Sequence, residues 1–167
     1  MNMKKFFMMM LAFLPFVMAA QETKIAIFKY REVLLSMPEI TALESEMAKL
    51  RSQFDSEMKV FQDDYERKYQ DLMAKQDSLP ENIYKIRVQD IQDIQYRAEN
   101  FQQFAMQELE KKQTEMSAPI QEKLQKAVDQ VGEENGYTLI ISSEVLHFVG
   151  KSAIDATDKV KAKLGIQ

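Results

Sequence analysis

The stretch KQDSLPE, residues 75–81, separates two long segments that contain no glycine. Within it, SLPE at 78–81 nearly repeats SMPE at 36–39. Serine followed three residues later by glutamate is a capping box, in which both side chains accept hydrogen bonds from free backbone N–H groups at a helix start. Proline suits the first turn, where its missing N–H is not needed. The repeats therefore predict helix starts after Ser36 and after Ser78; two ordinary loop prolines are the alternative.

Apolar residues follow each predicted start in steps of three and four, which places them on one face of a long helix. The first stripe is Ile40, Leu43, Met47, Leu50, Phe54, Met58, Phe61, Tyr65 and Leu72, with Tyr69 as a bridge between the last two. The second is less regular: Ile83, Ile86, Ile91, Ile94, Ala98, Phe101, Ala105, Leu109, Met116, Ile120, Leu124, Ala127 and Val131. At ~1.5 Å per residue, the helices measure roughly 60 and 80 Å. We predict an antiparallel helical hairpin, the arm (38–131), with its tip near 76–80.

Pro119 lies inside the second predicted helix, where it removes a backbone hydrogen bond. A bend at this position would set the angle at which the arm leaves the rest of the protein. A helix break without a mechanical purpose is the alternative, and the sequence leaves both open.

The residues on either side of the arm, 21–37 and 132–167, predict a small head. KIAIF at 24–28 has the apolar pattern of a buried strand. ENGY at 134–137 predicts the end of the long helix, with asparagine and glycine at its C-cap. The predicted fold class is therefore α+β and mostly α, a long coiled-coil arm on a three-stranded head.

The C-terminal part of the head supplies the other two predicted strands. They are TLIIS at 138–142 and VLHFV at 145–149, joined by a tight turn. The final segment predicts a short helix that Asp155 or Thr157 caps and Gly165 ends.

A sheet of three short strands has exposed edges and a thin core, which monomers seldom tolerate. We therefore expect the heads of several copies to share their strands, although these physical arguments do not fix the copy number. The candidate residues for this contact are Ile25, Ile27, Leu139, Ile141, Val145 and Phe148.

The first residues of the chain have the anatomy of a secretory signal peptide, 1–20. A lysine pair precedes an apolar run at 6–17, and small residues follow, with cleavage expected after Ala19 or Ala20. The apolar run is shorter than the ~20 residues that span a bilayer; a retained membrane anchor is the alternative. The chain contains no cysteine, so an oxidising compartment offers it no disulfides. We predict export to the periplasm.

Two features could suggest catalysis or metal binding. GKS at 150–152 matches the end of a phosphate-binding loop, but that loop requires glycine where this chain has Val145. His147 is the only histidine, and one histidine makes neither a metal cluster nor a catalytic triad.

The carboxylate pairs are also better explained as parts of a solvated helix face. Asp63 and Asp64, like Asp90 and Asp93, lie among lysine, arginine and glutamine on predicted helices. We therefore expect no enzyme activity, no catalytic residue, no cofactor and no metal. A net charge of −4 argues against a nucleic-acid partner.

The order of a signal peptide, KIAIF, a helical hairpin, ENGYTLII at 134–141 and IDATDKV at 154–160 resembles the OmpH/Skp family of periplasmic chaperones. The resemblance covers the whole mature chain, and ENGYTLII and DATDKV are its most specific parts. It implies a homotrimer whose heads form one body and whose arms enclose a cavity. It also implies an ATP-independent holdase that keeps unfolded outer-membrane β-barrel proteins in that cavity until they are inserted.

Two departures from the family pattern matter. HFVGKSA at 147–153 stands where an Asp-Pro or Asn-Pro is expected after the aromatic residue. The family's arms are basic, whereas residues 38–131 contain 13 Lys and Arg against 19 Asp and Glu. An acidic arm repels lipopolysaccharide phosphates, so we do not expect contact with lipopolysaccharide or membrane. Client binding then depends on apolar contacts and shape.

Several apolar residues of the arm lie outside the two stripes and are the candidates for client contact: Val60, Met73, Tyr84, Val88, Tyr96, Phe104 and Met106. Methionine and aromatic side chains form adaptable surfaces that accept many partners. Alternatively, some of these residues widen the hairpin seam, Val88 and Phe104 especially. A static coiled-coil spacer or adaptor of the cell envelope remains the alternative function, and it requires uninterrupted heptads and polar outer faces.

Overall fold

The computed structural model describes residues 23–166. Its elements in chain order are β1 (Ile25–Phe28), α1 (Tyr30–Ser36), α2 (Pro38–Lys75), α3 (Glu81–Asn135), β2 (Leu139–Ser142), β3 (Ile154–Asp155) and α4 (Thr157–Leu164). The predicted fold class is confirmed: two long helices form an arm on a small head with three strands and a short C-terminal helix. The predicted signal peptide lies outside the described residues. Among residues 23–166, every helix is too short or too polar to span a membrane.

The arm is a hairpin of α2 and α3, which are 38 and 55 residues long. A 3₁₀ turn at Gln76–Ser78 connects them. The helices run antiparallel, since Phe54 packs against Phe101 while Asp71, nearer the tip, pairs with Arg87. The side chains most deeply buried between the two helices outside the head are Met47, Leu72, Ile91, Ile94 and Ala105. The helices therefore meet along a narrow seam.

The first predicted capping box does not form, although α2 begins where it was expected. Ser36 is the last residue of α1, a helix that the sequence did not indicate, and its hydroxyl donates to the carbonyl of Glu32 at 2.7 Å. The N-cap of α2 is Met37, which has no side-chain oxygen. The prediction of the cap was wrong because the serine bonds back into its own helix. Pro38 occupies the first turn as expected.

The second capping box is absent for the same reason. The hydroxyl of Ser78 donates to the carbonyl of Lys75, at the end of the preceding helix, with a distance of 2.9 Å. Helix α3 starts at Glu81, and its N-cap is Pro80. The repeated sequence therefore marks two helix starts correctly, but it marks them through proline and not through serine.

The seam near the tip uses different residues from those predicted. Ile83 and Ile86 are exposed, Ile86 at 57%, whereas Tyr84 and Val88 are half-buried. A helix turns about 100° per residue, so Ile86 lies about 140° around α3 from the buried Ile91, while Val88 and Tyr84 lie within about 60° of it. The assignment of Ile86 to the seam was therefore wrong by helical phase. Ile83 lies about 80° from Ile91 and is 36% exposed, at the edge of the seam.

Pro119 does not break α3, which continues unbroken from Glu81 to Asn135. The alternative of a helix break is wrong, and a bend at this residue stays a prediction. Ile120 and Leu124, just after the proline, are buried in the core of the head. Helix α3 thus runs without interruption from the arm into the head.

The three strands form an all-parallel sheet in the order β2-β1-β3. The predicted strand at 145–149 is wrong: Ser143–Val145 is a 3₁₀ turn, and the residues after it are irregular. The turn lacks the Asn-Gly or Gly pairs that favour tight hairpins. Instead the third strand is Ile154–Asp155, which reaches the far side of β1 through a longer connection, as parallel pairing requires.

The core of the head lies between the sheet and the helices. Its buried residues are Ala26, Phe28, Val33, Met37, Ile120, Leu124, Ala127, Val131, Ala156, Val160 and Leu164. Gly136 and Gly165 end α3 and α4 with φ of +63° and +75°, which confirms both predicted helix ends. At the start of α4, Asp155 accepts the backbone N–H of Thr157 at 2.9 Å.

Candidate functional site

Four phenylalanines fill the seam in the middle of the arm: Phe54, Phe61, Phe101 and Phe104. The Phe101 ring lies 5.8 Å from that of Phe54 and 5.6 Å from that of Phe61, measured between centroids. Phe104 lies 6.3 Å from both Phe54 and Phe101. We call these four the aromatic cluster. The first three are half-buried and Phe104 is exposed, so the cluster forms part of the arm surface as well as its seam.

The structure divides the candidate client-contact residues into two groups. Exposed ones are Val60, Met73, Tyr96, Phe104 and Met106, with Tyr96 at 66% and Met106 at 65%. Tyr84 and Val88 are half-buried in the seam. Phe104 is exposed and also contacts the aromatic cluster. The exposed set therefore lies mainly in the middle of the arm.

Sequence reasoning missed Ile86, which is as exposed as the candidates themselves. It was assigned to the seam because it continued a run of apolar residues near the tip. Its phase relative to Ile91 is the signal that could have identified it.

Grooves run along both sides of the seam beside Phe61. One is lined by Glu57, Val60, Phe61, Asp63, Asp64, Arg67 and Arg97. The other is lined by Phe61, Gln62, Tyr65, Glu66, Ile94, Gln95 and Ala98. Val60 and Gln62 lie about 100° to either side of Phe61 on the helix, so the grooves open on opposite faces of the arm. Each groove has an apolar floor and a polar rim.

Within residues 23–166, ion pairs connect the two arm helices near the base and in the part of the arm toward the tip, where Lys68 also lies 3.8 Å from Asp90. Lys123 pairs with Glu39 near the base, and the cation holds the pKa of the Glu39 carboxyl below its usual value. Near the tip, Asp71 binds Arg87 and also Lys75, and the Lys75 hydrogen bond is the main reason for its lowered pKa. The middle of the arm is held instead by aromatic contacts, and several of its apolar side chains are exposed.

One face of the parallel sheet is uncovered in a single copy of the chain. In the strand register Ile25 lies beside Leu139 and Ile27 beside Ile141, so these four side chains share a face, which we call the open sheet face. Leu139 is 50% exposed. Parallel sheets are normally covered on both faces. The open sheet face therefore has the properties of a contact surface.

Val145 and Phe148, the other two head candidates, do not belong to the sheet. Both are exposed, and Phe148 reaches 85%. They lie in the irregular connection that follows β2, so the structure does not place them on the open sheet face.

Glu144, in the same connection, binds the start of α1. Its carboxylate accepts the backbone N–H groups of Arg31 at 2.9 Å and Tyr30 at 3.2 Å, and it also accepts the hydroxyl of Ser142. The Ser142 hydroxyl, followed by the Arg31 N–H, lowers the pKa of Glu144 to about 2. This carboxylate fixes the connection against α1, a role that the sequence did not indicate.

Residues 23–166 contain no group of three or more acidic or histidine side chains placed to hold a metal ion. His147 is exposed. The GKS segment forms a simple turn, in which the N–H of Ala153 donates to the carbonyl of Gly150 at 3.1 Å.

The family model for OmpH-like outer membrane proteins matches residues 24–164. The fold is similar to the crystal structure of a candidate outer membrane chaperone (OmpH-like) from Caulobacter crescentus CB15. The TM-score is 0.73 and the sequence identity 16%, over 84% of this chain and 82% of that one. At this identity the similarity shows the fold alone. Among curated proteins, no sequence match is found. The match over nearly all of the described residues shows that the chain belongs to the OmpH-like outer membrane protein family.

Proposed function

We propose that this protein is an ATP-independent holdase chaperone of the periplasm, which binds unfolded outer-membrane β-barrel proteins and prevents their aggregation. Membership of the OmpH-like family supports a chaperone role. The observation that carries the proposal is the exposure of large apolar side chains in the middle of the arm, namely Val60, Tyr96, Phe104 and Met106. A static spacer gains nothing from such side chains, since they raise the risk of aggregation.

The arm offers the kind of contacts that an unfolded barrel needs. Strands of a transmembrane barrel alternate apolar and polar side chains, and they aggregate readily before they reach the membrane. Methionine and aromatic side chains adapt to many partners. Several weak apolar contacts along the grooves would hold a client without imposing a structure on it.

The heads would bring several arms together. We infer that the open sheet face packs against other copies of the chain, because an uncovered parallel sheet loses apolar burial. A trimer is the assembly that the OmpH/Skp resemblance implies. Arms that project from one shared head would enclose a cavity, and the client would be held between them.

Light scattering tests the proposal directly. A urea-unfolded outer-membrane β-barrel is diluted into buffer that contains the mature protein at rising molar ratio, without ATP. We expect suppression of aggregation that saturates near one barrel per three chains. Unchanged aggregation at large excess of the protein would contradict the proposal and favour a structural spacer.

Substitutions in the arm distinguish specific binding from a general effect of added protein. A variant that changes Val60, Tyr96, Phe104 and Met106 to serine should lose most of the suppression. Leu35→Ser is the matched control, because Leu35 is equally exposed but lies on α1, away from the arm. Equal activity of the two variants would show that the exposed residues of the arm are not the binding surface.

A further inference from the structure

The negative charge of the arm is concentrated around the aromatic cluster. The facing segments 54–64 and 93–104 contain six carboxylates and two basic groups. Residues 65–92, which include the tip and the helical turns next to it, contain five carboxylates and five basic groups and are neutral. Four of the six surplus negative charges of residues 38–131 therefore surround the four phenylalanines, in the part of the arm where the apolar side chains are most exposed.

Both basic groups of these two segments are already engaged. Lys59 pairs with Asp63 at 3.6 Å, and the Arg97 guanidinium lies 6.0 Å from the centre of the Phe61 ring. Asp64 is bound by Arg67 from the next turn. Within the described chain, the carboxylates here that have no ion-pair partner within 4 Å are Asp55, Glu57, Asp93 and Glu99.

The apolar grooves and these carboxylates lie next to one another. Glu57 lines the same groove as Val60 and Phe61, together with Arg67, which binds Asp64, and Arg97, which lies over the Phe61 ring. Asp55 lines another groove with Phe54 and Met106, and Arg51 also lines it. An occupant that complements the groove beside Glu57 is apolar where it meets Val60 and Phe61 and positively charged where it meets the Glu57 carboxylate. An extended segment places alternate side chains on opposite sides, and lysine can lay its stem on apolar surface while its amine reaches a carboxylate.

We propose that the middle of the arm selects unfolded segments in which lysine or arginine alternates with aromatic or aliphatic residues. The proposal rests on the holdase function and names the class of client that this arm prefers. Charge complementarity raises the association rate and orients the encounter, and the apolar floor then retains the segment. Each exposed charge pair contributes little, so the preference depends on several pairs acting together.

Peptide binding to the whole mature protein tests this preference. Three fluorescent peptides share one apolar sequence and carry lysine, serine or glutamate at the alternate positions, and fluorescence anisotropy measures their dissociation constants. At low salt we expect the lysine peptide to bind roughly tenfold more tightly than the glutamate peptide. At about 1 M salt, where the Debye length is ~3 Å, the difference should disappear.

Two variants with the same change in net charge locate the site. The first, Asp55→Asn/Glu57→Gln/Glu99→Gln, neutralises three of the four unpaired carboxylates beside the cluster and should remove most of the preference for lysine. The second, Asp77→Asn/Asp129→Asn/Glu133→Gln, removes one carboxylate from the turn at the tip and two near the base of α3, and it should retain the preference. An equal loss in both variants would overturn the placement of the site in the middle of the arm.

The outcomes separate this proposal from the holdase function. Equal binding of all three peptides, or protection of a barrel client without binding of any peptide, would overturn charge selection and leave the holdase function intact. Failure to bind peptides and to protect a barrel client would overturn both. The mass of the assembly in solution is also compared between the first variant and the wild type, without peptide. A difference would assign the acidic grooves to contact between copies and so contradict the proposal.

Discussion

At the scale of single residues, Glu144 joins two parts of the head that are far apart in sequence. Its carboxylate accepts the first backbone N–H groups of α1, where the helix dipole favours negative charge. The contact needs the ionised form of Glu144, because the donors around it stabilise the negative charge.

The lowered pKa predicts how Glu144 contributes to stability as pH changes. A carboxyl group whose pKa falls from 4.5 in the unfolded chain to about 2 in the fold stabilises the protein above pH 4.5, and this contribution is lost as pH falls toward 2. We expect Glu144→Gln to be less stable than the wild type at neutral pH, and the difference in unfolding free energy to shrink between pH 4.5 and 2. Urea titrations at several pH values measure it. A difference that does not depend on pH would contradict this role.

The glycines at the end of α3 predict opposite effects of the same substitution. Gly136 has a φ of +63°, which alanine adopts only at a cost of about 1 kcal/mol, although nothing lies within 4 Å of the added carbon. Gly132 is helical, and an added carbon would lie 3.5 Å from Ile140, an ordinary contact. Gly136→Ala should lower the unfolding free energy, and Gly132→Ala should raise it by up to about 1 kcal/mol. Chemical denaturation measures both changes in unfolding free energy. If both substitutions changed it in the same direction, the left-handed cap at Gly136 or the helical backbone at Gly132 would be contradicted.

At the scale of elements, the narrow seam makes the stability of the arm depend on few side chains. Ile94 is 1% exposed, and its replacement by alanine should cost about 2–3 kcal/mol of unfolding free energy. Ile86, also on α3 but exposed, is the matched control, and Ile86→Ala should change the free energy by less than about 0.5 kcal/mol. Urea unfolding followed by circular dichroism compares the two. Similar losses in both variants would place the seam elsewhere.

Periodicity was enough to predict the long helices, because an apolar stripe constrains many residues at once. It failed where single contacts decide the structure. The hydroxyls of Ser36 and Ser78 had two possible backbone partners, and the local sequence did not indicate which one they bind. The predicted strand at 145–149 was wrong because it assumed a hairpin with β2. In the structure β2 and β3 lie on opposite sides of β1 and pair with it in parallel, an arrangement that depends on packing in the whole head.

At the scale of the whole molecule, the open sheet face predicts self-association. Leu139→Glu places a charge on this face, where burial without a partner is costly. We expect the variant to have the mass of a single chain under conditions in which the wild type is oligomeric. Sedimentation velocity measures the mass, and circular dichroism verifies that the helices remain. Val60→Glu, a charge added on the arm, should leave the mass unchanged.

A wild-type protein that stays a single chain at all concentrations would contradict the contact through the head. A Leu139→Glu variant that retains the oligomer would place the contact elsewhere on the molecule.

Much of the candidate surface could be predicted from residues that did not fit the helical stripes. Tyr96 and Met106 were identified in this way, and both are exposed. Tyr84 and Val88 are half-buried because they lie within about 60° of the buried Ile91 around the helix. The contact of Glu144 with Arg31 could not be predicted, since it joins residues 113 positions apart and no local pattern marks it.

The most direct test of the account is site-specific photo-crosslinking to an unfolded outer-membrane β-barrel. A photoreactive phenylalanine replaces Tyr96 in one variant and Glu122 in another; both positions are exposed on α3, but Glu122 lies beside the head. The account predicts that the client crosslinks strongly from position 96 and weakly from position 122. Crosslinking that is equal at the two positions, or stronger from position 122, would contradict the claim that the middle of the arm holds the client.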